Sequence, residues 1–188
     1  LGNMQTLDSH DTARFATHAP AEVIPLAVGL SMTLPGMPVL FAGDEFGLVG
    51  ADGEASRTPM PWGTESVPTV AARLDLYRQL IALRRQHPAL ATGGLRWVHV
   101  DQSAVVFVRE SAKESILVLA ATTDADITLP AAALLSADRA EELFGDAALK
   151  TAADGSVGIR TTGAMFAAWA LPGIAAPESR DGSGDGDA

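Results

Sequence analysis

Cysteine is absent from the 188-residue chain. That excludes disulfides and a thiol nucleophile, and it leaves the compartment open, since a secreted protein can also lack cysteine. Aromatic residues are sparse at 5%, so Ala and Leu carry much of an apolar share of 47%. Positive charge is in deficit. The formal net charge of −10 argues against a nucleic-acid or anionic-membrane partner, because both need a basic footprint. No apolar run reaches the length of a membrane span; Pro25, Pro35 and Pro38 interrupt the longest. Phosphate-cradling glycine strings and internal repeats are also missing. No charged n-region or apolar leader precedes the first motif, which begins close behind Leu1. The chain is expected to be part of a longer, soluble polypeptide, cytoplasmic or secreted, whose localisation this stretch does not encode.

The length suffices for one ordinary domain or two small ones. Two stretches dominate it. TLDSHDTARF (Thr6 to Phe15) follows a short apolar approach, and GDEFG (Gly43 to Gly47) follows the run MPVLFA (Met37 to Ala42). Short apolar runs that end in ionisable residues suggest two buried parallel strands with function at their carboxyl ends.

The remaining elements follow from pattern and punctuation. Leu1 to Leu7 is expected to be a strand. A helix is expected from Pro20 to about Leu34, with Pro25 close enough to its start to be tolerated and Pro35-Gly36 as its stop. With the strand Met37 to Ala42 this makes one right-handed βαβ unit. The long Gly/Pro-rich segment after it is expected to be an ordered loop packed by Phe46, Met60 and Trp62. Val70, Leu74, Tyr77 and Ile81, widened by Leu76, Leu80 and Leu83, mark a helix that opens at Ser66 or Val67 with Pro68 and ends at Pro88. Arg84, Arg85 and His87 sit where positive charge meets its dipole.

From Gly93 the grammar changes. Leu95 to Asp101, Ala104 to Glu110, Ser115 to Thr122, Ile127 to Leu129, Glu141 to Phe144, Val157 to Thr161 and Ala164 to Leu171 are strand-like and separated by turn residues. Such spacing implies an antiparallel sandwich, with a domain boundary near Ala91 to Gly94. From about Ala175 the composition is polar, glycine-rich and acidic, as in a disordered tail.

Several constellations could carry chemistry, each with a structural alternative. Ser9, His10 and Asp11 are the residue types of a nucleophilic triad. As neighbours in an extended chain they point to opposite faces and cannot form a relay among themselves. They can project His10 and Asp11 into different parts of one cleft; alternatively Asp11 caps the following turn and His10 satisfies a loop carbonyl. Asp44 and Glu45 can bind metal, act as acid and base, or anchor the loop through amides and an arginine. Asp52, Glu54 and Arg57 share a glycine-flanked loop without the ligand spacing of an EF-hand. Trp62 and Trp97 can stack on sugars or pack as core. His18, His87 and His99 lack partners at metal-ligand spacing.

In combination and in order, these stretches resemble the α-amylase family of retaining glycoside hydrolases. LDSHDTARF resembles the motif after the seventh barrel strand and LPGMPVLFAGDEFG the eighth-strand motif. GEASRTPMPW resembles an Arg-x-Pro-Met-x-Trp loop of oligosaccharide-active members, and LYRQLIALRRQHPAL the eighth helix with its lead-in to a β-domain. The resemblance spans Leu1 to Pro172. It implies the C-terminal part of a (β/α)8 barrel over residues 1–91, an antiparallel β-sandwich over residues 92–174, and a tail over residues 175–188.

The resemblance also implies roles. Asp11 matches the carboxylate that stabilises the transition state, and His10 matches a histidine bound to the same sugar. Arg14 and Arg57 are expected as outer contacts to substrate or to loop carboxylates, and Glu45 as support for its loop. An α-glucan or maltooligosaccharide is the implied substrate. No cofactor is required for the chemistry, and a structural calcium ion is compatible with the family without being indicated by this chain. The family's nucleophilic Asp and acid Glu lie on earlier strands, so an upstream barrel portion is the implied partner, and the chain alone is expected to be inactive. Two other functions fit the same residues: a non-catalytic carbohydrate-binding or interaction domain, and a family member that transfers glucosyl groups.

Overall fold

A computed structural model describes residues 2–134 and 136–172. The first segment holds β1 (Met4–Gln5), a short helix α1 (Phe15–His18), a 3-10 turn (Ala21–Val23), α2 (Ile24–Thr33), β2 (Met37–Pro38), a second 3-10 turn (Asp44–Phe46), α3 (Pro68–Gln86) and α4 (Pro88–Thr92). β1 and β2 pair in parallel, Met4 opposite Met37 and Gln5 opposite Pro38. Strand, helix and parallel strand form the expected βαβ unit, but each strand is only two residues long. Among the described residues neither has a further strand beside it, and Met4, Met37, Val39 and Leu40 stay exposed. Parallel strands are regular where both faces are covered; this pair is not.

α2 starts later than expected. Pro20 leads into the 3-10 turn, and Pro25 falls in the first α-helical turn, where its missing N–H has no intrahelical acceptor to lose. The helix closes with the Leu34 amide donating to Leu30 O at 2.9 Å. Gly36 follows at φ +126, and a Cβ there would meet Asn3 O at 2.5 Å. Both facts demand glycine where the chain turns back beside β1.

α3 opens with Pro68 and buries Leu74, Tyr77, Leu80 and Leu83, so the buried stripe runs through Leu80 rather than Ile81. Pro88 ends α3 and opens α4. Glu114 accepts from the Ala89 amide at 2.8 Å and faces His87 Nδ1 at 2.9 Å, so a side chain from a turn of the following sheet caps α4.

That sheet has five antiparallel strands in the order β3 (Gly94–Val100), β4 (Ala104–Glu110), β5 (Ser115–Ala121), β10 (Met165–Leu171), β7 (Glu141–Phe144). A second sheet of three has the order β6 (Ala125–Leu129), β9 (Val157–Thr161), β8 (Ala148–Thr151). β8 is the strand that pattern did not reveal, because ALKT carries no alternation and few β-formers. The expected acidic tail lies outside the described residues.

Alternation along the central strands builds two cores. Val106, Val108, Leu117, Leu119 and Trp169 face the second sheet and pack on Ile127, Leu129, Val157 and Ile159. Phe107, Ile116, Val118, Phe166 and Ala168 face the helices and pack on Ile24, Val28, Met32, Tyr77, Leu80 and Leu90. Gly29 lets α2 lie against the Phe166 ring, which a Cβ would reach at 2.4 Å.

The helix-facing side of β4 also carries Arg109, which is fully buried. Its guanidinium donates to Leu90 O at 2.9 Å, Gly93 O at 2.8 Å, Gly94 O at 3.1 Å and Thr33 O. Arg84, at the end of α3, donates to Met32 O at 2.6 Å and to Gly36 O. Burial, with the like charge of Arg84, lowers Arg109 to about 10, so it remains cationic at neutral pH. Among the described residues no helix is long and apolar enough to cross a membrane.

Replacing Arg109 by Leu strands these four carbonyls without their donor. At about 1–3 kcal/mol for a buried polar group left unmade, R109L is expected to lower unfolding stability by about 3 kcal/mol or more. Urea unfolding at pH 7 checks this, and a midpoint equal to wild type would refute the staple.

Candidate functional site

The peptide after β1 is a tight turn held by its own hydroxyls. The Ser9 amide donates to Thr12 Oγ1 at 3.0 Å, the Asp11 amide to Ser9 Oγ at 3.2 Å, and the Thr12 amide to Ser9 O at 3.3 Å. Short hydroxyl side chains fold back on the backbone in this way. The turn brings His10 and Asp11 together, with His10 Nε2 and Asp11 Oδ2 3.3 Å apart. This corrects the expectation for an extended chain: neighbours in a turn converge. The Asp11 side chain stays 68% exposed.

Capping belongs to Asp8, not Asp11. Asp8 is 6% exposed, and its Oδ2 accepts from the Phe15 amide at 2.6 Å, at the start of α1. No local signal marks it: an N-cap side chain stands directly before its helix, whereas Asp8 reaches the Phe15 amide from seven residues away.

Arg57 reaches the turn from the long loop after β2. Its Nε donates to His10 O at 3.1 Å and its Nη2 to Asp11 Oδ1 at 3.3 Å. The loop is pinned to the turn at several points. The Arg14 amide donates to Gly50 O at 2.8 Å, the Gly50 amide to Thr17 Oγ1 at 2.8 Å, and Ser56 Oγ to Thr12 O at 2.9 Å. Gly53 lies so close that a Cβ would sit 2.9 Å from the Asp11 carbonyl carbon.

Beneath this surface lies Arg14, 1% exposed. It donates to Asp44 Oδ1 at 2.7 Å, Ala42 O at 2.8 Å and Ser56 O at 3.0 Å. Its guanidinium carbon lies 3.9 Å from the centre of the Phe41 ring. Of the two contacts expected for Arg14, the structure shows the one to a loop carboxylate. Its burial corrects the expectation of a substrate contact. Asp44 stands in the 3-10 turn between Gly43 (φ 103) and Gly47 (φ 76). Its carboxyl is pushed up to about 6, first by burial and then by Asp8, against the pull of Arg14. Burial and Asp44 likewise push the Tyr77 phenol up. Glu45 folds back to accept from the Gly43 amide at 2.9 Å.

The other singled-out residues lie apart from this cluster or at its rim. Asp52 accepts from the Ala55 amide at 2.8 Å. Trp62 is not core: it is 73% exposed and stands edge-to-face with Phe46 at 5.8 Å. Trp97 on β3 meets Phe107 in the same way at 5.3 Å. His99 pairs with Asp101 at 2.8 Å, and His18 closes α1. Among the described residues no group of three His, Asp or Glu could hold a metal ion.

No family model matches the chain. Over 108 residues it is 36% identical to neopullulanase 2 of Thermoactinomyces vulgaris, an alignment that covers 56% of this chain and 18% of that protein. Over 127 residues it is 34% identical to a cyclomaltodextrinase of a Bacillus species, covering 65% and 22%. The chain thus spans about a fifth of the length of these relatives. Its fold is similar to that of a crystallised Anoxybacillus α-amylase, with a TM-score of 0.77 at 22% identity, over 92% of this chain and 38% of that one. The architecture is a partial (β/α)8 barrel followed by an antiparallel β-sandwich.

Arg14 is the buried centre of the cluster. Replacing it by Met removes the donor from one carboxylate and two carbonyls, and breaking a buried pair in this way costs about 3–5 kcal/mol. R14M is therefore expected to unfold at markedly lower urea and to open the segment from Gly50 to Arg57 to proteolysis. Wild-type stability together with wild-type cleavage rates would contradict the role assigned to Arg14.

Proposed function

We propose a function for this chain from one premise: it belongs, by sequence and by fold, to the α-amylase family of glycoside hydrolases. The chain is the C-terminal part of a retaining enzyme that cleaves α-glucosidic bonds in starch-derived oligosaccharides. Its own contribution to the active site is Asp11, the carboxylate that stabilises the transition state. The observation that carries this is the convergence of His10, Asp11 and Arg57 at one exposed spot, over a buried support.

In a retaining mechanism one carboxylate attacks the anomeric carbon, and a second carboxyl protonates the leaving oxygen and later activates water. Positive charge grows on the sugar ring as the bond breaks. Asp11 accepts hydrogen bonds from ring hydroxyls and attracts that growing charge more strongly in the transition state than in the ground state. Only such differential binding raises the rate. His10 offers an imidazole to the same sugar. Arg57 holds Asp11 Oδ1 and His10 stands beside Oδ2, while the carboxylate stays exposed to a ligand.

Neither the nucleophile nor the acid is supplied by this chain; both belong to an upstream barrel portion. In support, Met4, Met37, Val39 and Leu40 are exposed along the β1–β2 pair, the flank where further barrel strands would lie.

Two measurements test the proposal. Purified alone, the 188-residue chain is expected to release no sugar from maltooligosaccharides. In the full-length protein, D11N is expected to lower kcat by about 10²–10³-fold, the scale for losing one preorganised electrostatic contact. Turnover by the isolated chain would overturn the division of the active site, and undiminished kcat in D11N would overturn the role of Asp11.

A further inference from the structure

Asp8 and Asp44 come from different segments and line one small cavity, together with Tyr77 and Arg73 of α3 and the apolar Leu7 and Ile24. Both acids are at least nine-tenths buried. Asp8 Oδ2 is taken by the Phe15 amide, while its Oδ1 is buried with no hydrogen-bond partner. Asp44 Oδ1 is taken by Arg14. Arg14 gives Asp8 no hydrogen bond: its remaining Nη contacts go to Ala42 O and Ser56 O, and its buried Nε has no hydrogen-bond partner.

We propose that Asp8 and Asp44 share one proton, held between the Asp44 carboxyl and the unpartnered oxygen of Asp8. This proton bridge latches the His10–Asp11 turn to the 3-10 turn Asp44–Phe46. The latch is a property of the fold itself and does not depend on what the turn binds. Two buried carboxylates side by side cannot both ionise without repulsion, and one proton between them removes the repulsion and satisfies the orphan oxygen. Arg14 faces Asp44 and favours its ionised form. Arg73, on α3, and Glu45, in the same 3-10 turn as Asp44, act on Tyr77 with opposite sign. Tyr77 stays a neutral phenol, raised by burial and by both acids.

The folded state holds the Asp44 proton up to about 6, above the ordinary carboxylate value of 3.8. Between those values the folded state binds more protons than the unfolded one, so this contribution to stability falls as pH rises. It is complete below the unfolded value and lost as pH passes through 6. The turn that carries Asp11 is then held by Arg14 against repulsion between the two acids.

Carboxyl-carbon NMR on the chain, titrated from pH 3 to 8, tests this directly. Asp44 is expected to titrate near 6, and the amide signals of Ser9 to Phe15 to move with the same midpoint. D44N keeps a carbonyl for Arg14 and an N–H donor for Asp8, so in this variant the amide transition near pH 6 disappears. D8N lowers the Asp44 midpoint. His10 is an ionisable side chain in the same turn as these amides, so H10N is the control: the transition persists there. If D44N does not fold, the wild-type carboxyl titration and H10N decide. Asp44 titrating near 3.8, or amide movement that survives D44N or vanishes in H10N, would overturn the latch. Neither result bears on Asp11 and kcat.

Discussion

An α-helix leaves its last carbonyls without donors of its own. α2 ends inside the molecule, so those carbonyls must be met by side chains. Arg109 from β4 and Arg84 from α3 meet them, with no carboxylate among the partners. Both cations lie at the negative end of the α2 dipole, which offsets part of the desolvation that lowers Arg109. The same Arg109 holds the carbonyls at the end of α4 and the start of β3. The end of one helix therefore fixes where the five-stranded sheet begins. The turn at Gly36 and the strand β2 follow directly from that end.

The acidic site depends on this frame through a second buried arginine. Arg14 ties the turn after β1 to Asp44 and to the long loop, so the polar groups that hold the cluster lie inside it. Those free to meet a ligand, His10, Asp11 and Arg57, lie outside. A site that must present a carboxylate at a fixed angle needs this division, because exposed side chains orient poorly unless their backbone is over-determined. Gly53, with no room for a Cβ, shows how closely the loop is pressed onto the turn.

Much of the β-rich part was legible from alternation alone. β4, β7 and β9 have the expected limits, since each runs between clear turn residues. β8 was not legible, because its strand is decided by pairing with β9 and not by its own residues. The two parallel strands read longer than they are, since apolar composition reports burial and says nothing of a missing neighbour. In the site, the His-Asp pair was visible as a motif. The role of Asp8 was not, because a buried cap and an exposed ligand share one residue type. Trp62 misled as a core candidate for a related reason: an aromatic among prolines carries no information on which way it faces.

β5 lies between β4 and β10, with Ile116, Val118 and Ala120 turned to the helices and Leu117, Leu119 and Ala121 to the second sheet. Each core uses one side of the same seven residues. Neither can be dismantled while the other is intact, because opening either face uncovers a strand on which both rely. The two cores that share β5 are therefore expected to melt together. The backbone amides of β5 exchange with solvent only when both open, whereas those of the turn around Asp11 exchange through far smaller openings.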